Sequence, residues 1–257
     1  MQRQEYIRHQ LPEALRAGRM HLLYQPMVRL KDAQVVGLEA LCRWSTELLG
    51  DVPPDELMPA VQNAGLLDDY RHWLLDTLGQ EVPALLARHP LLDVSLNFSL
   101  TEMAQPGWFN DMQVWLQRMP EGIQQRWVVE VTEHSFAQPL SSVKSTMEVL
   151  RAQGLRFAID DFGAGASDLL RLRALPVDAI KLDKTWVHGL HQPDVQRRVK
   201  DVIAYAQQHG QHVVAEGVET SAHVAQAQAL GITLAQGFHF DPPRSLSHWL
   251  ASPERFA

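Results

Sequence analysis

Phe157-Ala158-Ile159-Asp160-Asp161-Phe162-Gly163-Ala164-Gly165 runs from the end of a buried strand into two adjacent carboxylates and a Gly-Ala-Gly turn. Adjacent carboxylates repel unless one is protonated or a cation neutralises them. An Asp-Asp pair at the mouth of an apolar strand therefore marks a candidate site for a hard divalent cation held by oxygens. What else reaches that mouth decides both fold and chemistry.

Working outward, the same alternation repeats on both sides. Downstream, a short helix is expected over Leu169–Leu175, then a strand over Ala179–Asp183 and a helix over 194–209 ended by Gly210. A strand over His212–Val218, a helix over Glu219–Leu230 stopped by Gly231, and a strand over Leu234–Phe240 follow, with Pro242-Pro243 and a short terminal helix closing the chain. Upstream, a helix over 140–153 separates the acidic pair from a strand over Trp127–Glu133. Before it come a helix from Pro106 to about Arg118, a helical turn at Thr101-Glu102 and a strand over Val94–Ser99. Leu at helical spacing predicts one long helix from Leu66 to about Arg88, preceded by a shorter helix from Pro53-Pro54 to Ala64. Residues 3–17 read as an amphipathic helix stopped by Gly18. Leu22–Val28 and Val35–Trp44 are close enough about Asp32 to pair as a hairpin. Eight strands alternating with helices predict an α/β fold, a closed (βα)8 barrel with an irregular first strand. Nothing in residues 1–257 divides the chain, so one domain is expected.

Composition narrows the function. Of 257 residues, 46% are apolar, enough for a sizeable core, and the formal net charge is −7. That charge argues against DNA or RNA as a partner, which calls for a basic face. It leaves a nucleotide ligand open, because bound metal can supply positive charge. Cys42 is the only cysteine and lies in an apolar run, which points to burial rather than reactivity. The first residues lack the apolar core of a secretory signal, and no apolar run is long enough to span a membrane. A cytoplasmic protein without membrane insertion is the expectation.

Each predicted strand carries a polar residue late in its apolar run: Gln25, Glu39, Asn97, Glu130, Asp160 with Asp161, Lys181, Glu216 and Gln236. In a barrel of this kind the active site lies at the C-terminal ends of the strands. Any one of these residues reads well as an isolated polar group on a loop-facing strand end. The set does not, because buried carboxylates without partners are costly and these recur at matching places in successive units. Four strands supplying carboxylates and one an amide oxygen suit one or two shared Mg²⁺ or Mn²⁺ ions. Lys181, the one cation among them, offsets part of the negative charge or binds an anionic group. The twelve histidines show no comparable pattern: His209 and His212 read as surface residues, His188, His191 and His239 lack an evident partner, and a Cys/His zinc site is not supported. Ions held by oxygens polarise a phosphoryl oxygen and activate water, so spacing alone reaches a metal-dependent hydrolase of a phosphate ester.

Glu39-Ala40-Leu41 followed by Arg43-Trp44 resembles the signature of the EAL domain, the bacterial cyclic di-GMP phosphodiesterases. The likeness continues through Tyr24-Gln25-Pro26, Leu96-Asn97-Phe98-Ser99, Glu130-Val131-Thr132-Glu133, Asp160-Asp161-Phe162-Gly163, Ile180-Lys181-Leu182-Asp183, Ala215-Glu216-Gly217-Val218-Glu219-Thr220 and Gln236-Gly237-Phe238, from about residue 20 to 245. Eight such stretches in order are specific where one would mean little. The resemblance implies a modified TIM barrel, (βα)8, whose first strand runs antiparallel. It implies hydrolysis of one phosphodiester of cyclic di-GMP to linear pGpG, with two Mg²⁺ or Mn²⁺ ions per active site. Glu39, Asn97, Glu130 and Asp160 would hold one ion, and Asp160, Asp161 and Glu216 the other. Lys181, Glu216 and Gln236 would act on the attacking water and its surroundings, and Glu133 would anchor the loop after strand five. Gln25, Leu41, Arg43, Asp183 and Glu219 would meet the substrate. Biofilm regulation and a homodimer are further implications. The chain departs from the family where Gly163-Ala164-Gly165-Ala166-Ser167-Asp168 replaces a loop that usually carries tyrosine and two serines. That loop couples dimerisation to metal binding in the family, so a receptor or interaction module that binds the dinucleotide without turnover stands as the alternative. Gln62 also replaces a usual glutamate, and Asp241 stands where a basic residue often precedes the proline.

Overall fold

A computed structural model describes residues 3–120, 122–132, 140–164 and 175–256. Helix α1 (Arg3–Arg16) is the expected amphipathic helix and buries Ile7, Leu11, Ala14 and Leu15. Strands β1 (Met20–Arg29) and β2 (Gln34–Thr46) form the expected antiparallel hairpin, paired from Met20 opposite Trp44 to Arg29 opposite Gln34 with one register shift between Met27 and Val28. A short β3 (Gly50–Val52) folds back on β2 within a stretch read as loop.

The remaining strands are β4 (Asp93–Ser99), β5 (Trp127–Thr132), β6 (Arg156–Phe162), β7 (Ala179–Leu182), β8 (His212–Ala215) and β9 (Leu234–Gln236). They follow one another in parallel from β2 through β9, and β1 closes the ring by pairing antiparallel with both β9 and β2. This is the modified (βα)8 barrel with an antiparallel first strand. Along β4 the alternation is plain. Val94, Leu96 and Phe98 are buried against the helical layer, while Ser95 and Asn97 face the other way, into the barrel.

The helical layer comprises α2 (Pro54–Asn63), α3 (Leu67–Glu81), α4 (Pro83–Arg88), α5 (Leu100–Met103), α6 (Pro106–Gln117), α7 (Leu140–Ala152), α8 (Lys184–His188), α9 (Pro193–Gln208), α10 (Ser221–Ala229) and α11 (Leu246–Leu250). The single long helix expected over Leu66–Arg88 is in fact α3 and α4, divided at Val82-Pro83. Proline has no N–H to give and its ring crowds the preceding turn. The helix expected over Leu169–Leu175 lies almost wholly outside the described residues. Of the described helices, none is long and apolar enough to cross a membrane.

The last two strands are shorter than their apolar runs suggest, because the two loops after them bond to each other instead. Val218 donates its N–H to the Gln236 carbonyl at 3.0 Å, and His239 donates to the Val218 carbonyl at 2.9 Å. Gly237 makes this possible. A Cβ there would lie 2.2 Å from the Val218 carbonyl oxygen, so no other residue fits without moving the loop.

Candidate active site

Strand register gathers the polar strand-end residues at one mouth. Gln25 stands opposite Glu39, Asn97 beside Glu130, Asp160 beside Thr132, and Lys181 beside Val214, two residues before Glu216. Lys181 is 2% exposed and forms the hub. Its Nζ lies 2.5 Å from Glu130 Oε2, 2.7 Å from Glu216 Oε1, 3.2 Å from Asp160 Oδ1 and 3.5 Å from Glu39 Oε2. Glu39 also accepts from Asn97 Nδ2 at 2.7 Å and from Gln236 Nε2 at 2.6 Å. Because Asn97 donates through its nitrogen, its amide oxygen is the atom left to face a cation.

One ammonium among four carboxylates leaves an excess of negative charge. Burial, followed by the charge of Glu39, pushes Glu130 well above the ordinary carboxylate range. Burial, followed by Asp160, does the same to Glu216. Burial also pushes Glu39 upward, but Lys181 and its two amide donors outweigh it and the group titrates low. Burial alone would lower Lys181; the surrounding carboxylates hold it well above an ordinary lysine.

Asp161 solves a problem that the sequence poses. Neighbouring residues of a regular strand point to opposite faces, so two consecutive aspartates would not serve one site. Here the β6–β7 register breaks between Ile159 and Phe162, and Asp161 takes a left-handed backbone with φ +55°. Aspartate tolerates that region better than most residues, and such irregularities re-aim side chains next to active sites. As a result Asp160, Asp161 and Glu216 each bring a carboxylate oxygen within 4.8 Å of the others. The buried Asp160 Oδ1 faces the Lys181 ammonium at 3.2 Å, a charge it shares with Glu39, Glu130 and Glu216. Oxygen-only donors and four carboxylates sharing a single ammonium fit a divalent cation.

The other residues implied by the resemblance are spread around this centre. Arg43, half-buried, donates from Nη1 to the Cys42 carbonyl at 2.8 Å. Leu41 lines a cleft of about 430 Å³ that opens from Glu39, Asn97 and Asp160 toward Met58 of α2 and Leu67 and Tyr70 of α3. Asp183 is buried and turned to its own backbone, capping α8 by accepting from the Thr185 N–H at 2.9 Å. Glu219 is exposed, 3.9 Å from His188 Nε2. Glu133 lies outside the described residues, as do Gly165 to Asp168. Gly163, at φ +109°, packs so closely that a Cβ would fall 2.5 Å from the Trp186 ring.

Sequence reasoning passed over the far wall of the cleft. Ser99 and Glu102 there form a reciprocal capping box at the start of α5. The Ser-x-x-Glu spacing was the available signal. It also left the histidines without partners that the structure supplies. His188 Nε2 lies 2.8 Å from the Gly217 carbonyl and its ring stacks on His223, His191 Nδ1 lies 3.0 Å from the His188 carbonyl, and His239 packs edge-on against Phe240. These contacts join residues distant in sequence or depend on loop geometry, which periodicity does not encode.

Comparison with known proteins agrees with this architecture. The sequence profile described as the EAL domain matches residues 8–243. The bifunctional diguanylate cyclase/cyclic di-GMP phosphodiesterase MucR of Pseudomonas aeruginosa is 30% identical over 98% of this chain. The cyclic di-GMP phosphodiesterase NbdA of the same organism is 32% identical over 93% of it. The chain spans only 37% and 30% of the lengths of those two proteins. Among solved structures, the PaMucR phosphodiesterase in complex with c-di-GMP superposes with a TM-score of 0.87 at 29% identity, covering 95% of this chain and 99% of that one. The FimX EAL domain from Pseudomonas aeruginosa bound to c-di-GMP superposes at 0.79 with 26% identity, covering 95% and 98%.

Proposed function

Because this chain belongs to the EAL domain family, we propose that it is a metal-dependent phosphodiesterase that opens cyclic di-GMP to linear pGpG. The observation that carries the reading is the ring of Glu39, Glu130, Asp160 and Glu216 around Lys181, with Asp161 turned into the same mouth. Glu39, Asn97, Glu130 and Asp160 would hold one Mg²⁺ or Mn²⁺, and Asp160, Asp161 and Glu216 a second. Such ions polarise the phosphoryl oxygens and neutralise charge that builds up in an in-line displacement.

The chain's own residues do the rest. A water oxygen bonds to phosphorus as the bond to the 3′ oxygen breaks, leaving a 5′-phosphate and a 3′-hydroxyl. Glu216 receives the proton that the water gives up, and the departing 3′ oxygen takes up a proton from solvent to become the hydroxyl. Lys181 steers the water or the phosphate by its ammonium. Gln236 holds Glu39 in position through the 2.6 Å hydrogen bond. Gln25, Leu41, Arg43, Asp183 and Glu219 form the surroundings of the dinucleotide in this reading.

The test is turnover of cyclic di-GMP with Mg²⁺ or Mn²⁺, with pGpG followed by chromatography. Glu39→Ala should abolish turnover and leave the circular dichroism spectrum unchanged. Binding of cyclic di-GMP with no pGpG formed would favour the second reading, a receptor without turnover. The observation behind that alternative is the sequence Ala166-Ser167-Asp168 in place of the family's usual loop residues.

A further inference from the structure

An anionic substrate meets little spare positive charge deep in this mouth. Lys181 is almost wholly buried and ringed by four carboxylates, which together outweigh its single positive charge. The rim above it is built by the β1–β2 hairpin. In that ladder His21 stands directly opposite Arg43, as Gln25 stands opposite Glu39. Directly opposed residues of an antiparallel pair share a face, with Cβ atoms roughly 5 Å apart. The two-residue period then places His21 and Gln25 on the same face as Leu41 and Glu39. That face is the barrel's interior side, because Glu39 reaches Lys181 across it. His21 is exposed, and the half-buried Arg43 is oriented by its bond to the Cys42 carbonyl.

Resting on the cyclic dinucleotide reading above, in which Arg43 already meets the substrate, we infer that His21 is the second arm of a clamp on the substrate's second, uncut phosphodiester. A cyclic dinucleotide carries its two phosphodiesters on opposite sides of one ring. When one lies at the carboxylates, the other points away from them. From Glu39 to Arg43 the strand advances about 13 Å, a gap that the dinucleotide ring and the long arginine side chain span together. Arginine grips phosphate in a bidentate fork, and an imidazole beside it adds one N–H when neutral and two when charged. The clamp sits far enough from the acidic centre to attract the second phosphate without disturbing the metal ligands.

The experiment compares wild type with His21→Ala and His21→Lys on two substrates in Mn²⁺: cyclic di-GMP, and bis(p-nitrophenyl) phosphate, which has one phosphodiester and no second. His21→Ala should raise KM for cyclic di-GMP about tenfold, the effect of one hydrogen bond to a charged group, with kcat within twofold. Its parameters for bis(p-nitrophenyl) phosphate should not move, and His21→Lys should restore KM for the dinucleotide. An unchanged KM, or a parallel loss on both substrates, overturns the clamp. If the wild-type protein turns over neither ester, the phosphodiesterase reading falls. The clamp is then judged by calorimetry with cyclic di-GMP, and equal Kd for wild type and His21→Ala overturns it separately.

Discussion

Lys181 Nζ lies 2.5 Å from Glu130 Oε2, in an ion pair that water scarcely reaches. Removing one member of a buried pair is far more damaging than exposed pairs suggest, costing about 3–5 kcal/mol, because the other charge is stranded. Lys181→Met in EDTA should therefore melt roughly 10 °C below wild type. Added Mn²⁺ should recover more of the melting temperature in the variant than in wild type, since a cation then replaces the missing ammonium. Equal melting temperatures in EDTA would show that the ammonium does not carry this load.

Glu130 and Glu216 are both raised well above ordinary carboxylates by burial and by their acidic neighbours. In the metal-free protein each keeps its proton to higher pH than a free glutamate, whereas a bound cation requires the ionised form. Metal binding should therefore release protons, and affinity should rise with pH up to those raised values. Calorimetric titration with Mn²⁺ in two buffers of different ionisation enthalpy reads the number released. Heats that do not depend on the buffer would contradict the charge picture.

The left-handed backbone at Asp161 makes side-chain shape matter there independently of charge. Asp161→Asn keeps a residue that tolerates φ near +55° and should stay within about 0.5 kcal/mol of wild type in urea denaturation. Asp161→Val puts a β-branched residue in the same conformation and should lose about 1–3 kcal/mol more. Two variants of equal stability would mean that the strand bulge relaxes at no cost.

Burial pushes the Cys42 thiol up to about 12, against an ordinary value of about 8.5. Only the thiolate reacts. Iodoacetamide at pH 8 should modify the native protein at least ~100-fold more slowly than the urea-unfolded chain. Rapid native labelling would place the thiol in contact with solvent.

Much of this architecture was legible in the chain. The alternation of apolar runs and helices announced the barrel, and polar residues late in each run announced its mouth. What stayed hidden depended on three-dimensional accidents of backbone. Asp160-Asp161 named an acidic site, but nothing in the two letters says that the second residue leaves the strand geometry so both carboxylates converge. Leu66 to Arg88 read as one helix because its leucine spacing survives Pro83, which breaks the backbone and not the apolar pattern. The position of His21 beside Arg43 needs the exact register of a hairpin, and register is set by the turn and the buried face together. Lys181 was visible as a cation among acids. That it touches four of them follows only from strand pairing across the barrel.

The antiparallel first strand also has a bearing on the order of folding. The β1–β2 hairpin joins near neighbours in sequence and can form as soon as its residues leave the ribosome, whereas the β1–β9 seam must wait for a segment some two hundred residues later. The Gln236–Glu39 hydrogen bond spans nearly the same interval, its partners 197 positions apart in the chain. Closing the barrel and completing the polar network are therefore one event. A chain stalled before its last strand would carry Glu39 in place with one of its restraints missing, so the acidic mouth is finished only when the fold itself is.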